Sequence, residues 1–406
     1  MSTLSATAHA ESCAVDRPEG MHHVGIVAGE ASGDGLGAAL IQGLRELDPE
    51  IRVTAMAGPR MLMAGCEPIA SIDALSVMGL VEVLRHYPRL SRLRADLING
   101  FATADIDAFV SIDVPDFSLE MARRLKAQGI PTLHLVCPQV WAWRPGRIPG
   151  LRRALDRMLV LFPFEVDFLQ AHGLAARFVG HPLADQLPRS PDRLAAKEGL
   201  GLSPGTQVLA LLPGSRRQEY TRHLPLFLAA AAILRQHRPD LEVIIGMANS
   251  RAADWAAALP ALAETGARLV IGRASEVLTA ADVALCVSGT ITLEAALCQT
   301  PLVVAYRMPW LTYQLLRRLV RVDRIALPNL LMPGINVPEC IQDAATAPKL
   351  AEALEAWLVD AERTANYRAR CTALHDVLHR GAGRAAAEAV LELIAARRTT
   401  EQENRR

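Results

Sequence analysis

The stretch GIVAGEASGDGLGAALI, Gly25 to Ile41, runs from a short apolar segment through a glycine-rich turn into a helical apolar period. A buried strand that turns directly into a helix is the opening unit of a parallel sheet wrapped by helices. The glycines let a ligand approach backbone amides at the positive end of that helix. A dinucleotide fingerprint would read G-x-G-x-x-G or A, yet Gly35-Leu36-Gly37 is followed at the third position by Leu40. That excludes the simple dinucleotide reading. Glu30, Ser32 and Asp34 add hydroxyl and carboxylate groups to the turn, and acids repel a pyrophosphate. A sugar or other hydroxyl-bearing acceptor suits the loop better.

The same strand-then-helix alternation continues along the chain. A first set of strand candidates is HHVGIVAG, RVTAMAG, AFVSIDV, PTLHLVC, RMLVLFP and ARFVGHP; a second is QVLALLPGS, EVIIGMA, ARLVIG, VALCVSG and PLVVAYR. Between them lies a polar, proline-bearing stretch. The expected fold is therefore α/β, with two doubly wound, Rossmann-like domains facing a cleft. The expected divisions are a disordered extension over 1–20, a first domain over 21–185, a linker over 186–205 and a second domain over 206–348. Helices should fill 349–398, and a polar, disordered tail 399–406.

Composition narrows the function. The 406 residues are 51% hydrophobic with a formal net charge of zero, enough to fill two cores but without the basic face that nucleic-acid binding needs. Seven cysteines lie scattered with no C-x-x-C pair, which points to reduced thiols in the cytoplasm and not to a disulfide framework or zinc site. No apolar run is long enough for a signal peptide or a membrane span. Surface attachment stays open: SVMGLVEVLRHYPRLSRLR sets Val81, Val83 and Leu84 among arginines, a mixture that either packs in a core or docks on an anionic bilayer.

In such sheets ligands bind beyond the carboxyl ends of the strands, which sorts the polar residues. AFVSIDVPDF brings Asp113 out of a buried strand at that end, the placement that suits a general base, with a helix cap as the alternative role. Asp105 and Asp107 precede the strand, so their D-x-D spacing is not read as a metal site. LLPGSRRQE puts Gly214, Ser215 and Arg216 before a helix, where amides and a guanidinium would neutralise a diphosphate without a metal. The segment VSGTITLE repeats the device with Ser288, Gly289 and Thr290, and Glu294 one turn further could accept from ribose hydroxyls. VWAWRPGR groups Trp141 and Arg144 as either edge packing or part of an acceptor site.

Taken in order, AGEASGD, AGPRM, VMGLVEVL, IDVPDF, VWAWRPGR, FPFE, FVGHP, LLPGSRRQE, SGTITLEAAL, VVAYRM and LPNLL resemble the motif series of lipid-A-disaccharide synthases, spread over residues 24 to 345. The resemblance implies a GT-B fold and an inverting glycosyltransferase at the inner face of the Gram-negative cytoplasmic membrane. The implied reaction joins UDP-2,3-diacylglucosamine to 2,3-diacylglucosamine 1-phosphate, giving a β(1→6) disaccharide 1-phosphate and UDP. It implies no cofactor, favours a homodimer, and carries over Asp113 as base, Arg216 on the diphosphate, Glu294 on the ribose and Asn329 at the active site. The acceptor would lie on the first domain, against Glu30, Ser32, Asp34, Trp141 and Arg144. The chain departs from the family pattern at Cys137, Gln139 and Ser118, which bears on the acceptor contacts more than on the reaction.

Overall fold

The structure is a computed structural model that describes residues 21–76, 82–143, 145–310, 312–314 and 324–404. The first seven strands are β1 (His23–Ala28), β2 (Arg52–Ala57), β3 (Glu67–Ser71), β4 (Ala108–Ile112), β5 (Thr132–Leu135), β6 (Arg157–Val160) and β7 (Ala176–Phe178). Six more follow, β8 (Val208–Leu212), β9 (Glu242–Met247), β10 (Arg268–Ile271), β11 (Val283–Cys286), β12 (Leu302–Tyr306) and β13 (Glu339–Ile341). They form two sheets, in the orders β3-β2-β1-β4-β5-β6-β7 and β10-β9-β8-β11-β12-β13. Pairings on both sides of β1 and of β8 are parallel. In each sheet the order therefore reverses beside its first strand. Contacts divide the chain into two compact units, Met1–Leu133 with Ala387–Arg406, and His134–Ala386.

In the first unit β1 and β4 are buried along their whole length, which is why they read as unbroken apolar runs. Gly25 interrupts β1 because a Cβ there would stand 2.6 Å from Ile106 Cδ1 and 2.8 Å from Phe101 Cδ1. The space goes instead to Phe101, whose ring meets Phe109 edge to face at 5.5 Å. Asp107 closes the amino end of β1: Oδ2 accepts from His23 N at 2.7 Å, and Oδ1 pairs with Arg398 at 3.2 Å. The aspartates of the D-x-D stretch thus stand at the end of the sheet away from the carboxyl ends.

The second unit is built the same way around β8 and β11, both fully buried. Helix Arg217–His237 buries Leu224, Phe227, Leu228 and Leu234 in the same core. Helix Ala347–Val359 lies close to β12, with Trp357 Nε1 donating to Leu302 O at 3.1 Å. The stretch expected as a linker carries a helix, Arg193–Gly199, capped by Asp192. Lys197 in it is buried, and its ammonium donates to Thr206 O at 2.6 Å and stands 3.6 Å from Asp282. Burying that charge is tolerated because it is hydrogen-bonded and paired.

Helices Ala347–Val359, Ala361–Leu378 and Ala382–Asn404 follow as the sequence implied. The last runs on through the stretch expected as a polar tail: the Thr399 and Thr400 hydroxyls bond back to Ala395 O and Ala396 O, which satisfies them within the helix. Its start is held by Asp185, whose carboxylate accepts from Gly381 N at 2.9 Å and Ala382 N at 2.6 Å. Asp185→Ala should cost about 1–2 kcal/mol in urea unfolding, and Asp185→Asn should recover part of it. An Ala variant as stable as the parent would show that the cap contributes nothing.

Candidate active site

The two turns that leave β1 and β4 lie side by side, because Ala28 and Ile112 are register partners at the carboxyl end of the sheet. Asp113 and Val114 both adopt left-handed backbone, φ 55° and 45°, which is uncommon for Asp and a genuine outlier for a β-branched residue. Three features hold the turn. A Cβ on Gly29 would fall 2.3 Å from Val114 Cγ1, so only glycine leaves room for that side chain. Pro115 opens the next helix, and the buried Ser118 hydroxyl donates to Val114 O at 3.1 Å and lies 3.4 Å from Asp113 O. Ser118 thus sits under the strained turn. Asp113 is half-buried, and its Oδ1 accepts from Val114 N at 2.9 Å.

Glu30 and Ser32 are exposed at the start of the neighbouring helix, Ala31–Leu47. Asp34 is different. It is 2% exposed, and its carboxylate accepts from Gly58 N, Arg60 N and Met61 N at 2.9, 2.9 and 3.1 Å. It caps the short helix Pro59–Met63. Its group is spent on the fold.

In the second unit the turns after β8 and β11 meet at the other reversal of strand order, with Leu212 and Cys286 in register. They border a pocket of about 440 Å³ that Gly214, Ser215 and Arg216 line on one side and Ser288, Gly289 and Thr290 on the other. Gly246 and Met247 at the end of β9, Ala248 after it and Gly272 after β10 complete the lining, which gathers at the strands' carboxyl ends. Gly214 has φ 104° and backs onto Glu219, where a Cβ would stand 2.6 Å from the glutamate's own. Glu219 Oε2 accepts from Arg216 N at 3.2 Å, and Oε1 lies 3.3 Å from Arg216 Nη1. The Arg216 side chain is 82% exposed and available to an anion at the helix start. Glu294 is held by Ser275, whose hydroxyl donates to Oε1 at 2.6 Å.

A second cavity, about 560 Å³, adjoins the first at Ser288, Gly289 and Thr290. Its other walls include Trp141, Trp143, Phe162, Glu165, His181 and Leu327. Glu165 is 3% exposed; its Oε1 accepts from Trp141 Nε1 at 3.3 Å and its Oε2 from Phe162 N at 3.1 Å. Burial pushes its carboxyl up to about 7, against the pull of those hydrogen bonds. Burial likewise pushes His181 down to about 4, as it does His134. His181 Nδ1 accepts from Leu183 N at 3.2 Å, which requires the neutral ring. Cys137 is buried beside Glu165, and burial followed by that carboxyl's charge drives its thiol upward, away from reactivity.

Asn329 sits on helix Leu327–Leu331, whose Leu327 and Leu330 line this cavity. Its amide donates to Val337 O and Glu339 Oε1 and accepts from Val337 N, so it pins the segment that carries Leu327 and Leu330. Arg144 and Val81 lie outside the described residues, as do the side chains of Val83 and Leu84. Reading the sequence for roles passed over Glu165, His181 and Phe162, although FPFE and FVGHP stood among its motifs. Among the described residues no three His, Cys, Asp or Glu side chains gather as metal ligands, and the six described cysteines are unpaired.

The family model described as lipid-A-disaccharide synthetase matches residues 24–393. A lipid-A-disaccharide synthase of Alkalilimnicola ehrlichii is 49% identical over 372 residues, which covers 91% of this chain and 97% of that one. Among solved structures, the glycosyltransferase of kitacinnamycin aligns over 92% of this chain and 99% of its own with a TM-score of 0.60 at 18% identity. A UDP-GlcNAc 2-epimerase from Neisseria meningitidis aligns over 92% and 100% with a TM-score of 0.57 at 11% identity. At such identities the structural likeness establishes the fold, of GT-B type.

The ionisations of these buried groups oppose one another. Glu165, raised on folding, contributes stability below about pH 4.5 that is lost as pH rises toward 7; His134 and His181, lowered, contribute stability above about pH 6.5 that is lost as pH falls toward 4. Glu165→Gln removes the first contribution alone. The stability of Glu165→Gln relative to the parent should therefore rise between pH 4.5 and 7, by on the order of 3 kcal/mol. Urea unfolding at pH 5, 6, 7 and 8 measures it, and a pH-independent difference would refute the buried carboxyl's titration.

Proposed function

We infer the reaction from one premise: this chain belongs to the lipid-A-disaccharide synthetase family. It is a glycosyltransferase of lipid A biosynthesis. We propose that it transfers the sugar of UDP-2,3-diacylglucosamine to the 6-hydroxyl of 2,3-diacylglucosamine 1-phosphate, releasing UDP and inverting the anomeric centre. The observation that carries this reading is the pocket at the β8 and β11 turns. Two helix starts and one exposed arginine surround a space suited to a nucleoside diphosphate. The adjoining aromatic cavity has room for a sugar ring.

In the proposed step Asp113 takes the proton of the acceptor hydroxyl as that oxygen bonds to the anomeric carbon. The bond from that carbon to the diphosphate oxygen breaks on the opposite face, and its electron pair leaves with UDP. Arg216 and the amides of the β8 and β11 turns bind the negative charge that develops there, so no metal is required. The strained turn at Asp113 supports its role, since left-handed backbone of this kind persists where the surroundings over-determine it. Glu294, fixed by Ser275, is assigned to the ribose, and Glu30 and Ser32 to the acceptor side. Asn329 acts through the segment it pins.

Both substrates carry acyl chains, and no described helix is long and apolar enough to cross a membrane. We therefore assign the enzyme to the surface of an anionic bilayer, on its cytoplasmic side. Purified protein with both glycolipids in detergent, without added metal, should yield UDP and a disaccharide of the expected mass. Asp113→Asn should lose about 10²–10⁴-fold in kcat with UDP affinity retained. Arg216→Ala should lose about 10²–10³-fold and bind UDP more weakly. An Asp113→Asn enzyme with parental turnover would remove the aspartate from the mechanism; UDP release without disaccharide would overturn the acceptor assignment.

A further inference from the structure

Glu165 stands apart from the residues that the transfer step uses. Its position at the third residue of helix Pro163–Ala171 would suit an ordinary cap for Phe162 N. A cap of that kind works best in water, and burial works against it by favouring the neutral acid. The carboxyl's other oxygen explains the placement better. It receives the indole N–H of Trp141, so one side chain grips both aromatic residues that face the cavity from different segments. Those residues belong to a larger aromatic group. Trp141 meets Phe164 edge to face at 5.0 Å, Phe164 stacks on Phe162 at 6.0 Å, and Phe162 stacks on His181 at 5.5 Å. Without the carboxyl, the indole N–H would have to find water or turn its ring.

We propose that Glu165 is a positioning residue: its carboxyl sets Trp141 and Phe162 as the aromatic wall on which the glucosamine ring of a glycolipid substrate packs. The C–H face of a sugar suits such a wall, while the Ser288–Thr290 turn brings the cavity up to the nucleotide pocket. The identity of the sugar rests on the reaction proposed above; the control of the indole does not. The same chemistry fits the ring of the donor or that of the acceptor, and kinetics separate them.

Among the described lining residues, Cys137, His181 and Arg324 are the other groups that could carry charge. Burial pushes His181 down to about 4 and the Cys137 thiol up, and a guanidinium stays charged. Between pH 6 and 8 the group on this wall that changes charge is thus Glu165. The test uses the full-length chain with the substitutions Glu165→Gln and Trp141→Phe. The emission of Trp141, taken as the parent signal less that of Trp141→Phe, should change between pH 6 and 8. The same difference in the Glu165→Gln background should not.

In the glycolipid assay Glu165→Gln should raise KM for one substrate roughly tenfold, with kcat within about threefold and UDP affinity unchanged. Whether KM for donor or acceptor moves identifies the ring. Trp141→Phe should shift the same KM, which keeps the proposal testable if the glutamine variant does not fold. An unchanged titration of Trp141 in Glu165→Gln, or parental KM values in Trp141→Phe, would overturn it. A kcat loss beyond a hundredfold at constant KM would also do so, by making Glu165 a group in contact with the reacting atoms. If the parent turns over neither glycolipid but the Trp141 titration disappears in Glu165→Gln, the reaction falls and the positioning role stands.

Discussion

The reversal of strand order beside β1 and β8 is the constraint from which the rest follows. Parallel strands need right-handed crossovers, so strands laid to the left of the first put their helices on one face and strands to the right put them on the other. Between the two directions the connecting turns diverge, and a crevice opens at the carboxyl ends. Asp113 with Glu30 and Ser32 emerges at one such crevice, and Arg216 with Ser288 and Thr290 at the other. No side chain creates these openings. Topology does, and the polar residues occupy them.

What the openings demand of the backbone differs between the units. The β8 turn relies on glycine: Gly214 reaches φ 104° without a Cβ to clash, and Glu219 closes behind it. The β4 turn places the left-handed conformation on Asp113 and Val114 instead, at about 1–3 kcal/mol each. Glycine at Asp113 would relieve that strain but could not act on a proton. The compensation is moved to a neighbour, Gly29, whose missing side chain makes the socket for Val114. The glycines of the opening sequence stretch are therefore divided in purpose, and this one serves the aspartate on another strand.

That division explains what could be read from the sequence. Buried central strands announce themselves as apolar runs, so β1, β4, β8 and β11 were legible, as were the turns that leave them. The edge strands β3 and β13 were not, because EPIAS and ECI are only partly covered and carry no pattern of burial. Asp34 looked like a ligand group since its spacing matches the acidic turn; only the fold reveals three amide donors converging on it. Asn329 presents the same ambiguity. Glu165 was hidden for the opposite reason: a glutamate in the first turn of a helix reads as a solvated cap, and its burial depends on Trp141, twenty-four positions earlier.

The strained turn and the buried carboxyl share a thermodynamic logic. Each lowers the stability of the native state locally, and each sits among well-packed neighbours: the β1 and β4 pair beside Asp113, and the aromatic group from Trp141 to His181 around Glu165. A fold whose local preferences all agree would have no use for either. Ser118 bears on the first cost, with its hydroxyl directed at the carbonyls of the left-handed residues, and Cys137 on the second, as a small buried thiol beside Glu165. Both residues therefore lie where the fold holds a side chain against its local preference.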